Sequence, residues 1–273
     1  MHLPALSSLL LCCLVLCTAP AAAQDGTFPG YDVRSRSMGG TGLNATGIDA
    51  LWTNPAGLAR DADRVQASAT VEQRFGLSDL SIANAGVAIG RPIGGFGLQL
   101  ASFGFDAHRE NRLGVAYGRR LTDNFSIGAE FAAFGTTTTN YASTFNVTFG
   151  LGAQLYILPE LRVGARIFSP LRVERLPEEY LPQLLALGVS YRPTKQLLIN
   201  VEAHQDVDFA TRIRSGVEYL PAEELSIRLG IATSATELSF GLGYQIFEGF
   251  DLSAGATWHE VLGVWPTVGI RYR

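Results

Sequence analysis

Cysteine, long apolar runs and an excess of basic residues are missing from most of this chain. The cysteines, Cys12, Cys13 and Cys17, all lie near the start, so the residues after position 23 offer neither a disulfide framework nor a thiolate metal site. After Ala23 no apolar run approaches the roughly 18 residues of a membrane-spanning helix. Since 21 Lys and Arg stand against 25 Asp and Glu, no nucleic-acid partner is expected.

The first residues have the composition of a secretion signal. Leu3 to Ala23 are almost wholly apolar or small and carry no charge, and three alanines precede Gln24. This ending fits the small-residue rule of signal peptidase, which predicts a cleaved signal peptide over residues 1–23 and export of the remaining chain. The alternative is an uncleaved membrane anchor, although no stop-transfer charges follow the apolar run.

The chain is apolar on average, yet after the first residues it is not apolar in runs. The mean hydropathy of the whole chain is +0.16. From Arg64 to Arg273, apolar and polar residues alternate in short segments that turn residues separate. The clearest segment, 238–246, reads Leu-Ser-Phe-Gly-Leu-Gly-Tyr-Gln-Ile. Because successive side chains of a strand point to opposite faces, each segment has one apolar and one polar face.

A repeat sets the number of strands. Seven segments end in the same four-residue motif, which is Gly, an apolar residue, any residue, and then Tyr or a large aliphatic residue. The glycines of the seven motifs are Gly86, Gly114, Gly152, Gly188, Gly216, Gly241 and Gly269. With a return partner for each, the first from Arg64 to about Arg74, the strands number fourteen. An even number puts both termini beside the short turns, as in outer-membrane barrels. We therefore predict an all-β fold, a transmembrane antiparallel β-barrel of about 14 strands over residues 64–273.

The aromatic residues favour a barrel over a soluble β-sandwich. Five tyrosines lie on the apolar face at one strand end, namely Tyr117, Tyr191, Tyr219, Tyr244 and Tyr272. They predict an aromatic girdle in contact with outer-membrane lipids. In a sandwich such tyrosines would be corner residues, but the opposite face would then be heavily charged, whereas here it is rich in Gly, Ala and Ser. The last strand, 267–273, resembles the signal that the barrel assembly machinery reads, although Arg273 follows the expected final aromatic residue.

Residues 24–63 have no clear period and form a separate N-terminal segment. The string 37–59 resembles the N-terminal region of the FadL-like outer-membrane proteins, which include long-chain fatty acid and aromatic hydrocarbon transporters. It is most similar to the PorV/PorQ branch associated with type IX secretion. The matching residues are Met38, Gly39, Gly40, Asp49, Asn54, Pro55, Ala56 and Gly57. The resemblance implies that the segment is a plug inside a barrel of fourteen strands.

The residues of this segment also suggest a compact plug by themselves. Its glycines permit tight, positive-φ backbone, and Asn54 before Pro55 should stop any helix begun near Asp49. The alternative is a helix cap that leads into the first strand without any gating role.

A set of charged residues should face the lumen, since a charge on the lipid face would be costly. Alternation places inside Glu130, Arg162, Arg166, Glu202, His204, Arg212, Arg214, Glu218, Arg228 and Asp251. These residues either line a polar path or clamp the plug by ion pairs, or they fill the lumen as a salt-bridge network.

Catalytic chemistry is scarce. After residue 23 the histidines are His108, His204 and His259, and the sequence has no phosphate-binding glycine loop, clustered metal ligands or dinucleotide fingerprint. We therefore expect no enzyme, cofactor or metal. Two functions remain. The first is a PorV/PorQ-type component of a secretion or envelope machine, with a protein partner, which the short external connections favour. The alternative is a FadL-like passive transporter of hydrophobic small molecules across the outer membrane.

Overall fold

The computed structural model describes residues 31–60, 64–139, 141, 143–176, 179–233 and 236–273. The predicted signal peptide and residues 24–30 therefore lie outside the described residues. The strands in chain order are β1 Val65–Gln73, β2 Ser81–Arg91, β3 Gly94–Phe105, β4 His108–Arg120, β5 Phe125–Thr138, β6 Thr144–Tyr156, β7 Leu161–Phe168, β8 Glu174–Leu176, β9 Glu179–Tyr180, β10 Leu184–Tyr191, β11 Leu197–Asp206, β12 Arg212–Tyr219, β13 Leu225–Ala232, β14 Glu237–Phe247, β15 Phe250–His259 and β16 Gly263–Tyr272.

Fourteen of these strands form a closed antiparallel barrel, which confirms the predicted fold class and strand number. Each strand pairs with its neighbour in the chain, except that β7 pairs with β10 across the separate β8–β9 ribbon. The barrel closes because β1 pairs with β2 on one side and with β16 on the other. Closure leaves no sheet edge, as a membrane-spanning sheet requires.

Burial follows the alternation of the sequence. In β14 the residues Leu238, Phe240 and Leu242 are exposed on the outer surface, and Ser239 is buried inside. The outer surface is thus apolar and the interior polar, as expected for a barrel in lipid.

The connections on the side of the termini are short, namely residues 92–93, 121–124, 157–160, 192–196, 220–224 and 248–249. By the rule for outer-membrane barrels this is the periplasmic side, and we call the opposite side external. The longest external connection runs from Ser169 to Gln183 and carries the β8–β9 ribbon.

The N-terminal segment folds into short helices inside the barrel. They are α1, Val33–Ser37, and two 3-10 helices, Gly47–Leu51 and Pro55–Arg60. The first 3-10 helix ends ahead of Asn54, and Pro55 begins the second, a position where its missing N–H costs nothing. Two further 3-10 turns, Arg74–Gly76 and Ser78–Leu80, connect β1 and β2. Among the described residues no helix is both long and apolar enough to cross a membrane.

The apolar core lies where this segment meets the wall. Ile48, Leu51, Trp52 and Leu58 pack together with two small wall residues, Ala88 and Ala116. Residues 31–60 are packed within the lumen through this core, and we call them the plug.

Candidate functional site: the plugged lumen

A belt of glycines on the inner wall seats the plug. A β-carbon on Gly128 would collide with the backbone of Pro55 and Ala56, and one on Gly152 would collide with Asn54. The wall glycines in such contact with the plug are Gly86, Gly95, Gly97, Gly118, Gly128, Gly152, Gly164, Gly188, Gly216, Gly230, Gly241, Gly255 and Gly269. All glycines of the sequence repeat belong to this belt except Gly114, which faces Gln99. The repeat thus marks the close approach of plug and wall.

Asn54 ties the plug to itself and to the wall. Its side chain is fully buried, and Nδ2 donates to the Leu43 carbonyl at 2.9 Å and to the wall carbonyls of Ala153 and Ala165 at 3.1 and 3.3 Å. Its Oδ1 accepts from the backbone N–H of Ala56 at 3.2 Å. An unpaired amide here would be costly, so this position requires asparagine's combination of donors and acceptor.

Polar wall side chains satisfy the irregular backbone of the plug. Glu202 accepts from the N–H groups of Gly42 and Leu43 at 2.7 and 2.8 Å. Gln154 donates to the carbonyls of Leu43 and Ala45 at 2.8 and 2.9 Å. Buried backbone groups need such partners, so the plug depends on the wall for its fold.

The Met38-Gly39-Gly40 turn sits against β12 and β13. Gly39 and Gly40 have φ of +71° and +77°, which favours glycine at both positions. The Gly40 carbonyl accepts from Arg214 at 3.2 Å, and Met38 is fully buried. A side chain at Gly39 would strike the backbone of Ile231.

Ion pairs clamp the periplasmic face of the plug. Arg34 donates to Glu218 at 2.6 and 2.8 Å, and Glu218 also accepts from Arg228 at 2.9 Å. Asp49 accepts from Arg271 at 2.5 Å and from Arg34 at 3.3 Å. Each charge is paired, and the network joins the plug to the wall strands β12, β13 and β16.

A second ion pair holds the external face. Arg36 of the plug donates to both oxygens of Glu72 at 2.7 and 2.8 Å. The fork geometry makes this the strong, bidentate form of an arginine–carboxylate contact.

The two aspartates of the plug have opposite electrostatic environments. Burial and, to a lesser degree, the negative charge of Asp49 raise the pKa of Asp32 to about 7. Burial also raises the pKa of Asp49, but Arg271 and Arg34 outweigh that effect and hold it below its ordinary value. Asp32 also caps α1, where its Oδ1 accepts from the Ser35 N–H at 2.9 Å. Asp49 is therefore the charged anchor of the plug.

The predicted lumen charges all lie on the inner side of their strands. Arg166 forms an ion pair with Glu130 and donates to the plug carbonyls of Trp52 and Thr53, the latter at 2.9 Å. Glu130 also accepts from Arg112 at 3.0 Å. The remaining positions are Arg162 over the Tyr156 ring, Arg212 paired with Glu237, His204 bonded to Glu202, and Asp251 paired with Arg271. Some of these charges therefore contact the plug, and others pair within the wall.

Several functional residues escaped the sequence reasoning. Arg34 and Arg36 lie in a segment without a period, so nothing predicted their partners. Arg271 and Glu72 alternate with the apolar residues Ile270 and Val71. The alternation that placed the other charges inside could therefore have placed these two inside as well.

A cluster of packed apolar side chains lies on the external side of the plug. Phe134 and Phe168 face each other with ring centroids 6.4 Å apart, and Leu181 of the long external connection packs against them. The guanidinium of Arg112 lies 5.6 and 5.3 Å from the two ring centroids. We call this cluster, which also includes Ala132, Val173 and Leu184, the external cluster.

The connection from Ser169 to Gln183 folds inward over this cluster. Arg175 donates to Glu110 on β4 at 2.8 Å, and the Leu181 N–H donates to the Val173 carbonyl at 2.8 Å. The connection is therefore a cover for the mouth, with Leu181 buried beneath it.

A polar cavity of about 280 Å³ lies on the periplasmic side of the plug. Its lining includes the clamp residues Arg34, Asp49, Glu218 and Arg271. The lumen thus has an apolar cluster on the external side of the plug and a charged cavity on the periplasmic side.

The predicted girdle tyrosines lie on the outer surface at the periplasmic ends of their strands. Tyr191, Tyr219, Tyr244 and Tyr272 are exposed, and Tyr117 donates its hydroxyl to a turn carbonyl. Within the described part of the chain, no group of three or more His, Cys, Asp or Glu residues could hold a metal ion.

The fold and its contents define a class of protein, the transmembrane β-barrels whose lumen is filled by an N-terminal plug. Within that class the fold is FadL-like. The chain is similar to the toluene transporter TbuX of Ralstonia pickettii, with 14% identity, a TM-score of 0.71 and coverage of 90% of this chain and 99% of TbuX. No protein-family model and no curated protein matches it.

Two other solved structures share the fold. One is the CymD monoaromatic hydrocarbon channel, with 13% identity, a TM-score of 0.69 and coverage of 89% of this chain and 97% of CymD. The other is a FadL homologue of Pseudomonas aeruginosa, with 12% identity, a TM-score of 0.69 and coverage of 89% and 98%. The fold is thus shared with transporters and channels. The assignment to the PorV/PorQ branch has no support among these structures.

Proposed function

We propose that the protein is an outer-membrane channel for small apolar molecules, with monoaromatic hydrocarbons such as toluene as the substrate class. The observation that carries the proposal is the packed apolar external cluster above the plug of a FadL-like barrel, and we place the binding pocket there. A polar-solute porin would need a charged or hydrated mouth instead.

The pocket suits a flat aromatic guest. Phe134 and Phe168 offer ring faces and edges, and Leu181 closes the site from above. Aromatic rings gain from such tilted contacts beyond the area they bury. Passage from this pocket toward the periplasm requires the plug to shift, since the plug fills the centre of the lumen.

This proposal replaces the secretion-machine interpretation, which the sequence favoured because the external connections are short. In the structure the connection 169–183 folds inward, and its Leu181 packs against Phe134 and Phe168, which supports a ligand site without a large external domain. The physical premise for preferring a protein partner is thereby lost.

The proposal also covers location and neighbours. A cleaved signal peptide, residence in the outer membrane, lipid contact through the girdle tyrosines and assembly through β16 all accord with a plugged barrel of this fold. Catalysis has no part in it, and diffusion of an apolar solute needs no cofactor.

Ligand binding tests the proposal. Fluorotoluene binding is measured by fluorine NMR on protein held in amphipol, with empty amphipol as the blank and toluene as competitor. Leu181→Asp puts a charge in the pocket and should weaken binding by at least about tenfold, or about 1.4 kcal/mol. Phe145→Ala, a change on the exposed outer surface, should leave binding unchanged. Equal affinity of wild type and Leu181→Asp for fluorotoluene would contradict binding at the external cluster.

A further inference from the structure

A concave groove of about 960 Å³ runs along the outer, lipid-facing surface of the barrel. Its floor consists of small residues that face outward on neighbouring strands. The strand register places these residues next to one another. Ala69 on β1 pairs with Ala85 on β2, and Ala83 pairs with Ser102 on β3. Large apolar residues such as Leu100 and Leu113 form its sides.

The floor continues to Gly135 on β5, which pairs with Asn111 on β4. A β-carbon at Gly135 would meet nothing within 4 Å, so the surface here is open. The groove is therefore a feature of the side chains and not of a break in the wall, since the pairing of β1 to β6 is continuous along it.

The groove crosses the barrel obliquely. It begins at Leu252 near the periplasmic end of β15 and ends at Phe145 near the external end of β6. Seven strand spacings of about 4.8 Å separate these ends, so the groove extends along the outer wall across eight neighbouring strands.

Charge at the external end indicates which molecule fills the groove. Arg109 lies on the outward side of β4, two residues from Asn111, and its side chain is 49% exposed. Its contact with the fully exposed Asp106 is long, at 3.4 Å, and such surface pairs are weak. Within lipid there is no hydrophobic force that favours a groove over a flat surface, so close packing and head-group charge must select the occupant.

We propose that this groove binds the acyl chain of an anionic, phosphate-bearing membrane lipid, whose head group contacts Arg109 at the external rim. The small floor residues allow a chain to lie flat against the wall, and Ser102 and Asn111 can hydrogen-bond to its ester region. The site rests on the membrane-spanning barrel and not on the proposed transport, so a barrel that moves no toluene would still bind the lipid.

Lipid retention tests this site. The full-length protein is placed in nanodiscs of equal parts phosphatidylglycerol and phosphatidylethanolamine, and released lipid-bound species are counted by native mass spectrometry. Wild type should retain about one lipid, enriched in phosphatidylglycerol. The double variant Ala85→Leu, Gly135→Leu fills the floor and should lower retention by about fivefold, a difference of about 1 kcal/mol.

Matched variants distinguish binding of the lipid's acyl chain from binding of its head group. Ala203→Leu, on the outward side of β11 across the barrel, should retain lipid like wild type. Arg109→Gln should still retain lipid but lose the enrichment in phosphatidylglycerol. A shift in gel mobility on heating shows that each variant has folded. Equal retention by the filled and control variants would overturn the site. So would a wild-type dimer that the filled variant converts to monomer, because the groove would then hold a second copy of this chain.

Discussion

Replacing Gly152 with leucine is expected to undock the plug and turn a closed barrel into a conducting one. A side chain at this position collides with Asn54 and crowds Pro55, the centre of the contact between plug and wall. Overpacking of this kind costs about 1–3 kcal/mol, and 3 kcal/mol shifts a docked-to-undocked ratio by about a hundredfold. The measurement is single-channel conductance in planar bilayers, where Gly152→Leu should show frequent openings.

Gly135→Leu is the matched control for this experiment. It makes the same substitution on the adjacent strand, but on the outer surface, where the added atoms meet open space. Its conductance should equal that of wild type. If Gly152→Leu stayed as closed as this control, the plug would not be the barrier in the lumen.

Replacing Glu218 with glutamine is expected to produce a large loss of stability. The substitution removes the negative charge that Arg34 and Arg228 share, and both guanidiniums are mostly buried. Leaving a buried charge without its partner costs about 3–5 kcal/mol. The measurement is the urea midpoint of the barrel folded into lipid vesicles, which should fall markedly.

An exposed carboxylate supplies the comparison. Asp106→Asn removes the partner of Arg109 at the surface and should cost less than about 1 kcal/mol. Similar midpoints for Glu218→Gln and Asp106→Asn would contradict a clamp made of buried ion pairs.

The strand count and the two faces of the barrel could be predicted because they depend on local alternation. A period of two fixes which side each residue faces, whatever its distant partners. The same parity placed Glu218, Arg228 and Asp251 inside, where the structure has them. The glycine repeat also carried information beyond strand ends, since most of its members seat the plug.

The partners across the lumen could not be predicted. Arg34 and Glu218 are 184 residues apart, and no periodicity connects an irregular plug with a strand. The external cluster was missed for a similar reason. Leu181 lies in a connection whose inward fold depends on contacts with Phe134 and Phe168, and no pattern in the sequence indicates those contacts. Interactions that bridge irregular and regular segments are set by packing and not by pattern.

Uptake of radiolabelled toluene tests the central claim most directly. Bacteria without FadL-like barrels of their own receive this chain, and uptake is followed at limiting toluene concentration beside a sugar alcohol as polar control. The account predicts faster toluene uptake, unchanged uptake of the sugar alcohol, and a return to background with Leu181→Asp. Background toluene uptake by a barrel that gel mobility shows to be folded, together with a stoichiometric protein partner on purification, would contradict it.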